Sequence, residues 1–465
     1  MFGAHSVYLA YLAFAALGAA SFRFWAPRTA VLVVFLGGWL VLPVGVFPAG
    51  AADVVFPYWI TGLAVPSDML LTKAWVAPVV ALLGALVFDG RGVRRLRPAL
   101  FDVPVALWCL WPLLQGLVSG PTDPPPWTSS LYLAGAWGAP WLLGRVYFAR
   151  TDGQHQLMQG LTWSALACLP VAVIEGVFGP GLVYDGLYGP HPFRADGAER
   201  YLGFRPLGLF ENGNQYGLWM SLCAVAAVWL ARSASGGQRK PARVQAALVV
   251  LMALAAQSVG AVLLMCLGIG LLFSLSFISL KRLTVAAMAV LVLGGTVYLS
   301  GVVPVRQLAT GTTAGRAVVD AIKGVGRGSL TWRVSQDQKL LRGALAHPLA
   351  GSARWDWWRP EGVRPWGLPL LVTGQFGLVG LALCFGLMLA PAVRAGLHTE
   401  RARVSRTRAL PSVLATLVML SLMDALLNSF IFFPALLAAG ALVGAQQARA
   451  DDDLRVTRIP ARAAA

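Results

Sequence analysis

Charge is what this sequence has least of. Only 12% of its 465 residues are Asp, Glu, Lys or Arg, 57% are hydrophobic, and the mean hydropathy is +0.67. A soluble domain usually carries about 25% charged residues, so a soluble enzyme fold is excluded. Cysteine is scarce as well: Cys109, Cys168, Cys223, Cys266 and Cys384 all fall in apolar runs, and none forms a CxxC pair. That excludes a disulfide framework or a thiolate zinc site and leaves helix-packing residues. No metal-ligand cluster stands out, and no cofactor is called for. A basic stretch ahead of the first apolar run is missing, so that run reads as a retained helix rather than a cleaved signal. Internal repeats and low-complexity segments are missing too.

Long apolar runs are what the chain has instead. About 20 apolar residues cross a bilayer core, and such runs lie near 3–22, 29–48, 69–88, 99–118, 131–149, 157–178, 206–231, 244–258, 260–280, 283–303, 366–393, 411–430 and 434–449. The expectation is an all-α polytopic membrane protein with about 12–13 transmembrane helices. Residues 1–449 form one membrane-embedded domain and 450–465 a cytoplasmic tail, with the acidic triplet Asp451–Asp453 at a solvated end. Two separations are narrow, at Gln257-Ser258-Val259-Gly260 and at Phe432-Phe433-Pro434.

The formal charge of +17 would suggest nucleic acid in a soluble protein. Here the basic residues follow the connections instead. Arg23 and Arg28, Arg91 to Arg97, Arg145 and Arg150, Arg232 to Arg243, Lys281 and Arg282, Arg394 to Arg408 and Arg449 to Arg462 all fall on alternate loops. That sidedness assigns those loops to the cytoplasm and excludes a nucleic-acid binder. The opposite face has two long segments, 179–205 and 304–365, which retain arginines that topology does not require, among them Arg194, Arg200, Arg205, Arg333 and Arg359. In the second, Leu330, Val334, Leu341 and Leu345 recur at helical spacing between Ser329 and Ala346, ahead of His347-Pro348. The pattern predicts an amphipathic helix on the outer leaflet. Trp355, Trp357, Trp358 and Trp366 gather beside Arg354, Asp356 and Arg359, as an aromatic belt or as a platform on which a sugar stacks.

The costliest stretch is GFRPLGLFENGNQYG, residues 203–217, where Arg205, Glu211, Asn212 and Asn214 stand at the mouth of an apolar run. Outward arginines suit a polyanion at the membrane surface, because a guanidinium pairs bidentately with phosphate oxygens. Helix N-terminal amides add to that preference. Capping and snorkelling are the plainer reading.

FRPLGLFENGNQYGLW resembles the Arg-x-x-Gly-x-Phe-x-Asn-Pro-Asn motif of the O-antigen ligase and O-antigen polymerase superfamily, with Gly213 where proline is common. AQSVGAVLL at 255–263 is similar to the family's Ser-Arg-Gly-Ala helix. WRVSQDQKLLRGALAHPLAGSA at 332–353 resembles its outer helix followed by Pro-Leu-x-Gly, and RPWGLPLLVTGQFGLVGL at 364–381 its His-Asn segment leading into Glu-x-Gly-Leu-Leu-Gly. The stretches keep the family order and cover about residues 200–440.

This resemblance implies a metal-independent glycosyltransferase in a bacterial inner membrane, active on the periplasmic face. Its donor would be an undecaprenyl-diphosphate-linked glycan and its acceptor a sugar or lipid-linked hydroxyl, with membrane lipid around it and polysaccharide-assembly proteins as possible partners. Arg205, Glu211, Asn212 and Asn214 would face the diphosphate and glycan, with Arg333 and Trp366 completing the binding set. Counted back from Gly377, the family histidine is replaced by Trp366, its asparagine neighbour by Gly367 and its glutamate by Gln375; Val259 stands for the arginine of the Ser-Arg-Gly helix. These departures favour a polymerase or divergent transferase over a plain ligase. Substitute bases are His191, His347, Asp356, Glu361 and Asp424, the last on one helix face with Asn428 at i,i+4 and at a depth where a carboxylate is expensive. Glu175 reads as an interface residue. A transporter or flippase of a lipid-linked or anionic substrate, and a catalytically silent scaffold of a polysaccharide assembly complex, remain as other functions.

Overall fold

The computed structural model describes residues 2–45, 71–119, 125–191, 199–200, 203–274, 280–300, 307, 311–324, 328–353, 365–398 and 410–457. Among these, secondary structure is helical except for one antiparallel pair, β1 (Glu199–Arg200) with β2 (Gly203–Phe204). The helices are α1 (Phe2–Phe24), α2 (Pro27–Val41), α3 (Lys73–Phe88), α4 (Gly90–Arg94), α5 (Asp102–Ser119), α6 (Pro126–Leu133), α7 (Ala139–Tyr147), α8 (Thr151–Ala167), α9 (Leu169–Phe178), α10 (Leu182–Tyr188), α11 (Gly213–Ser233), α12 (Arg239–Ala255), α13 (Val259–Ser274), α14 (Leu280–Ser300), α15 (Thr313–Gly324), α16 (Gly328–Ala344), α17 (Leu368–His398), α18 (Leu410–Ala425) and α19 (Pro434–Thr457). A π-helical turn, Ala134–Gly138, joins α6 to α7.

Among the described residues, four helical runs are long and apolar enough to cross a membrane: Ser6–Phe24, Thr151–Phe178, Gly213–Ser233 and Leu368–Leu397. At about 1.5 Å per residue, the 21 residues of α11 reach across a hydrocarbon core of roughly 30 Å. Shorter apolar helices surround them, and large side chains such as Leu17, Val87, Leu117 and Leu293 point outward from the bundle. An exterior rich in leucine and valine suits lipid rather than water.

Packing is centred on α11, whose residues are almost all buried, and on the first half of α19, where Ala435 to Val443 are buried throughout. Helix α19 lies close against α7 because the Gly440 Cα sits beneath the Trp141 carbonyl, leaving no room for a Cβ. A stack of aromatic rings fills the centre: Trp39 against Phe433 at 4.7 Å, Trp108 against Trp137 at 5.5 Å and Trp219 against Phe432 at 5.2 Å. Cys168, Cys223 and Cys384 are buried in this packing, whereas Cys266 is exposed.

Both narrow separations in the sequence are breaks in the fold. Residues 256–258 divide α12 from α13, with Gln257 at φ 48°, and residues 426–433 divide α18 from α19. The amphipathic helix expected over 329–346 is α16, and Leu341 of its periodic face packs on the cluster that Leu340 and Ala344 form with Leu370 of α17. Among the described positions of the helix Asp337 is buried too, three residues beyond Val334 and four before Leu341, so a carboxylate lies on the same stripe.

The two ends of the bundle are built differently. At one end, short connections bring Arg28 to Asp152 at 2.6 Å, Tyr147 to Asp89 at 3.0 Å and buried Arg145 to Asp102. At the other, the chain enters α3, α11, α13, α17 and α19 and leaves α2, α5, α9 and α18. All the pieces of the motif-bearing segments meet there.

Candidate functional site

Residues 203–217 form a turn that feeds α11. Asn212 is the N-cap: its Oδ1 accepts the backbone amides of Asn214 and Gln215, both at 3.0 Å. This satisfies two of the donors that a helix start leaves unpaired. Arg205 folds back over the same start. Its Nε donates to the Ala256 carbonyl at 3.1 Å and its Nη2 to Asn214 Oδ1 at 2.8 Å, while the Ser258 hydroxyl donates to that same oxygen at 3.4 Å. The break between α12 and α13 is therefore part of the site. A Cβ at Gly213 would come within 2.3 Å of Arg205 Nε. Glycine, rather than the proline common in the resembled motif, is what lets this guanidinium lie across the helix mouth.

Beneath the turn the polar groups are buried. Glu175, fully buried rather than at an interface, accepts the amides of Leu207 at 2.8 Å and Gly208 at 2.7 Å; the amides of Gly181 and Val183 also face its carboxylate. Lys73, the first residue of α3, donates to the Leu209 carbonyl and lies 4.8 Å from the Phe210 ring and 5.2 Å from that of Trp39. Its charge is felt by Glu211, which is wholly buried and whose amide donates to Gln215 Oε1 at 3.0 Å. A carboxylate buried at the same end as a buried lysine offsets part of the desolvation cost that either charge alone would impose.

His191 belongs to the same turn. Its Nε2 lies 2.9 Å from the Phe210 carbonyl, and a carbonyl only accepts, so Nε2 carries the proton. Its own amide donates to Asp185 at 2.9 Å and its ring packs on Tyr184 at 4.4 Å. Burial pushes the Tyr184 hydroxyl above the usual tyrosine range, which keeps it neutral as it accepts the Val44 amide at 3.3 Å. His191 anchors the segment that carries Arg205.

A second guanidinium is assembled from three late segments. Arg333 of α16 donates to Asn428 Oδ1 at 2.6 Å and to the Leu427 carbonyl at 3.4 Å, with its guanidinium 4.9 Å above the Trp366 indole. One turn on, Asp337 accepts the amides of Trp366 at 2.7 Å and Gly367 at 3.2 Å. Helix α16 therefore holds both flanking loops, one through each charge. Asp424 is buried in the last turn of α18, and its backbone carbonyl accepts the Asn428 amide at 3.0 Å. The Trp366 indole is a platform for Arg333, and Asn428 lies not on one helix face with Asp424 but in the turn that follows, because α18 ends at Ala425.

The Pro-Leu-Ala-Gly stretch is a backbone clamp. Helix α17 breaks at Gly377, φ 71°, and the freed groups pair with residues 348–353: Leu378 N with Pro348 O at 2.7 Å, Ser352 N with Gly374 O and Ala353 N with Gln375 O, both at 2.9 Å. Gln115 of α5 reaches across to donate to the Ala350 and Gln375 carbonyls. Gly351 also has positive φ, 73°, and a Cβ at either glycine would run into the opposing backbone. Gln375 is buried, and its backbone carbonyl is part of this clamp. Exposed His347 opens the clamp's loop.

Both arginine clusters lie at the end of the bundle opposite the short basic connections, linked through Phe210–Trp219 at 5.3 Å and Trp219–Phe432 at 5.2 Å. Each guanidinium is fixed by an asparagine oxygen, a geometry suited to holding an anion with little rearrangement. Asp356, Glu361, Trp355, Trp357 and Trp358 lie outside the described residues, and so does Arg194. Among the described residues, no group of three His, Cys, Asp or Glu side chains is placed to share a metal. Sequence reasoning missed Lys73, Asp337, Ser258 and Gln115; only Lys73 gave a signal, as a cation just inside an apolar run. No family model matches the chain, and no curated protein does either.

Proposed function

We propose that this chain is a divergent membrane glycosyltransferase of the O-antigen ligase and polymerase type, working on a polyprenyl-diphosphate-linked glycan at the end opposite its basic loops, the periplasmic face of a bacterial inner membrane. The observation that carries the reading is the pairing of two arginines from distant segments at one end of the bundle, Arg205 on Asn214 and Arg333 on Asn428. In the reaction, the acceptor hydroxyl oxygen forms a bond to the anomeric carbon while the bond from that carbon to the diphosphate oxygen breaks. The departing diphosphate takes the electron pair, and Arg205 and Arg333 stabilise its growing charge. The hydroxyl proton goes to the Asp424 carboxylate, buried in the last turn of α18 beside the segment that holds Arg333, since Trp366 has no basic nitrogen and the His191 ring is held in the turn against the Phe210 carbonyl and Tyr184.

The test is purified full-length protein with a polyprenyl-diphosphate oligosaccharide, following released polyprenyl diphosphate and glycan length together. Asp424→Asn is expected to slow turnover by about a hundredfold or more with donor KM little changed. Undiminished turnover in that variant overturns Asp424 as the base. Absence of release from the unaltered protein with every donor overturns the transferase reading and returns the transporter to first place.

A further inference from the structure

Helical spacing gathers Ala314, Gly315, Val318, Val319, Ala321 and Ile322 on one side of α15 (Thr313–Gly324) and sets Arg316, Asp320 and Lys323 on the other. The Thr312 hydroxyl caps the start by accepting the Gly315 amide at 2.9 Å, so the helix has a defined beginning of its own. An apolar helix face is normally packed against a protein core. Here it is not: Ala314, Ala317 and Ala321 are exposed, Gly315 and Val319 are half-buried, and no described side chain of the helix is buried. By contrast α16, which follows directly, buries Asp337, Leu340 and Ala344.

What covers the face follows from where the helix lies. Thr284, near the start of α14, lies against Gly396, near the end of α17. Helix α17 starts beside Trp366 and runs away from the end that holds Arg333, so α14 runs back toward that end. Its 21 residues, at about 1.5 Å each, match the thickness of a hydrocarbon core, and its Val290, Val292 and Leu293 are exposed on the apolar exterior. Helix α15 thus begins where the lipid-facing surface ends. We propose that α15 lies in the plane of the membrane surface, with Val318, Val319 and Ile322 between lipid headgroups and acyl chains and with Arg316, Asp320 and Lys323 toward water. A helix with one apolar face and basic residues on the other takes up this position. Helix α16, which carries Arg333, packs against α15, so the anchor sets the depth of that guanidinium at the membrane. The inference requires membrane residence only and is independent of the transferase reading.

Fluorescence quenching in vesicles tests it. Full-length protein with Cys266→Ala, which removes the exposed native thiol, receives single cysteines for a fluorophore and is reconstituted in phosphatidylcholine. Each label is challenged with aqueous iodide and, separately, with phosphatidylcholine carrying a nitroxide high on its acyl chain. Labels at Val318→Cys, Val319→Cys and Ile322→Cys are expected to be quenched by the nitroxide and shielded from iodide. Labels at Arg316→Cys and Asp320→Cys should do the reverse, so that quenching follows a period of about 3.6 residues. Arg316 and Asp320 are exposed, so their variants remain folded and give the water-facing reference. Shielding from iodide at the apolar positions without nitroxide quenching would mean that protein covers the face, and equal iodide quenching at all five positions would mean that water does. Either result would overturn the proposal.

Discussion

The two ends of this helical bundle carry ionisable residues in opposite ways. At the basic end most arginines stand in the open; the Arg28–Asp152 pair, with side chains 34% and 64% exposed, is typical, and Arg145 on Asp102 is the buried exception. At the other end Lys73, Glu175, His191, Arg205, Glu211, Asp337 and Asp424 are all buried. Exposed charge costs a protein little, whereas buried charge must be paired and hydrogen-bonded or it is strongly destabilising. The first end needs no further explanation, because exposed basic residues at one end of a helical membrane bundle are what the positive-inside bias would leave there. That bias does not explain the second, where the expense is explained by a site that must hold charge.

That contrast can be broken by substitution, and the largest effect is expected at Lys73. Lys73→Met leaves Glu211 buried without its cation, at a cost of about 3–5 kcal/mol. Thermal unfolding in detergent should show a large fall for Lys73→Met and recovery of most of it in Lys73→Met with Glu211→Gln. No recovery in the double variant would mean that the two charges do not support one another. Next comes Asp337→Ala, which strips two amides of their acceptor and should cost about 2 kcal/mol by the same measurement; it should also release the Trp366 loop, seen as faster proteolysis after residue 353. A similar loss is expected for Gly377→Ala, since both its positive φ and the Leu349 carbonyl oppose a side chain. The smallest effect belongs to the basic end, where Arg28→Ala should change stability by less than about 1 kcal/mol, and less again at high salt. A loss at Arg28 as large as that at Lys73 would erase the distinction between the ends.

Much of the architecture was legible in the residues because an apolar run announces its own helix. Helices occur at each run, and even the narrow breaks at Gln257 and Phe432 were visible as polar or proline interruptions. Local parts of the site were legible too: Asn212 caps the helix that follows it, and Arg205 and Asn214 are near neighbours in sequence. What escaped reading depends on distant partners. Lys73 finds Leu209 across 136 positions, and Gln115 finds Gln375 across 260; neither leaves a periodic trace. Asp337 escaped for a related reason: apolar spacing marked Leu330, Val334, Leu341 and Leu345, and the carboxylate among them gains its purpose only from the amides of Trp366 and Gly367. The amide partners of Glu175 escaped reading for the same reason, since Leu207 and Gly208 lie 32 and 33 positions away.

The most direct measurement compares arginines from the two ends in one assay, the release of polyprenyl diphosphate from a polyprenyl-diphosphate oligosaccharide by purified protein. Arg205→Ala and Arg333→Ala should each lower turnover by about a hundredfold or more, as loss of a group that stabilises a developing anion does, while Arg28→Ala leaves it unchanged. Equal turnover in all three variants and the unaltered protein would contradict the assignment of the buried end as the site.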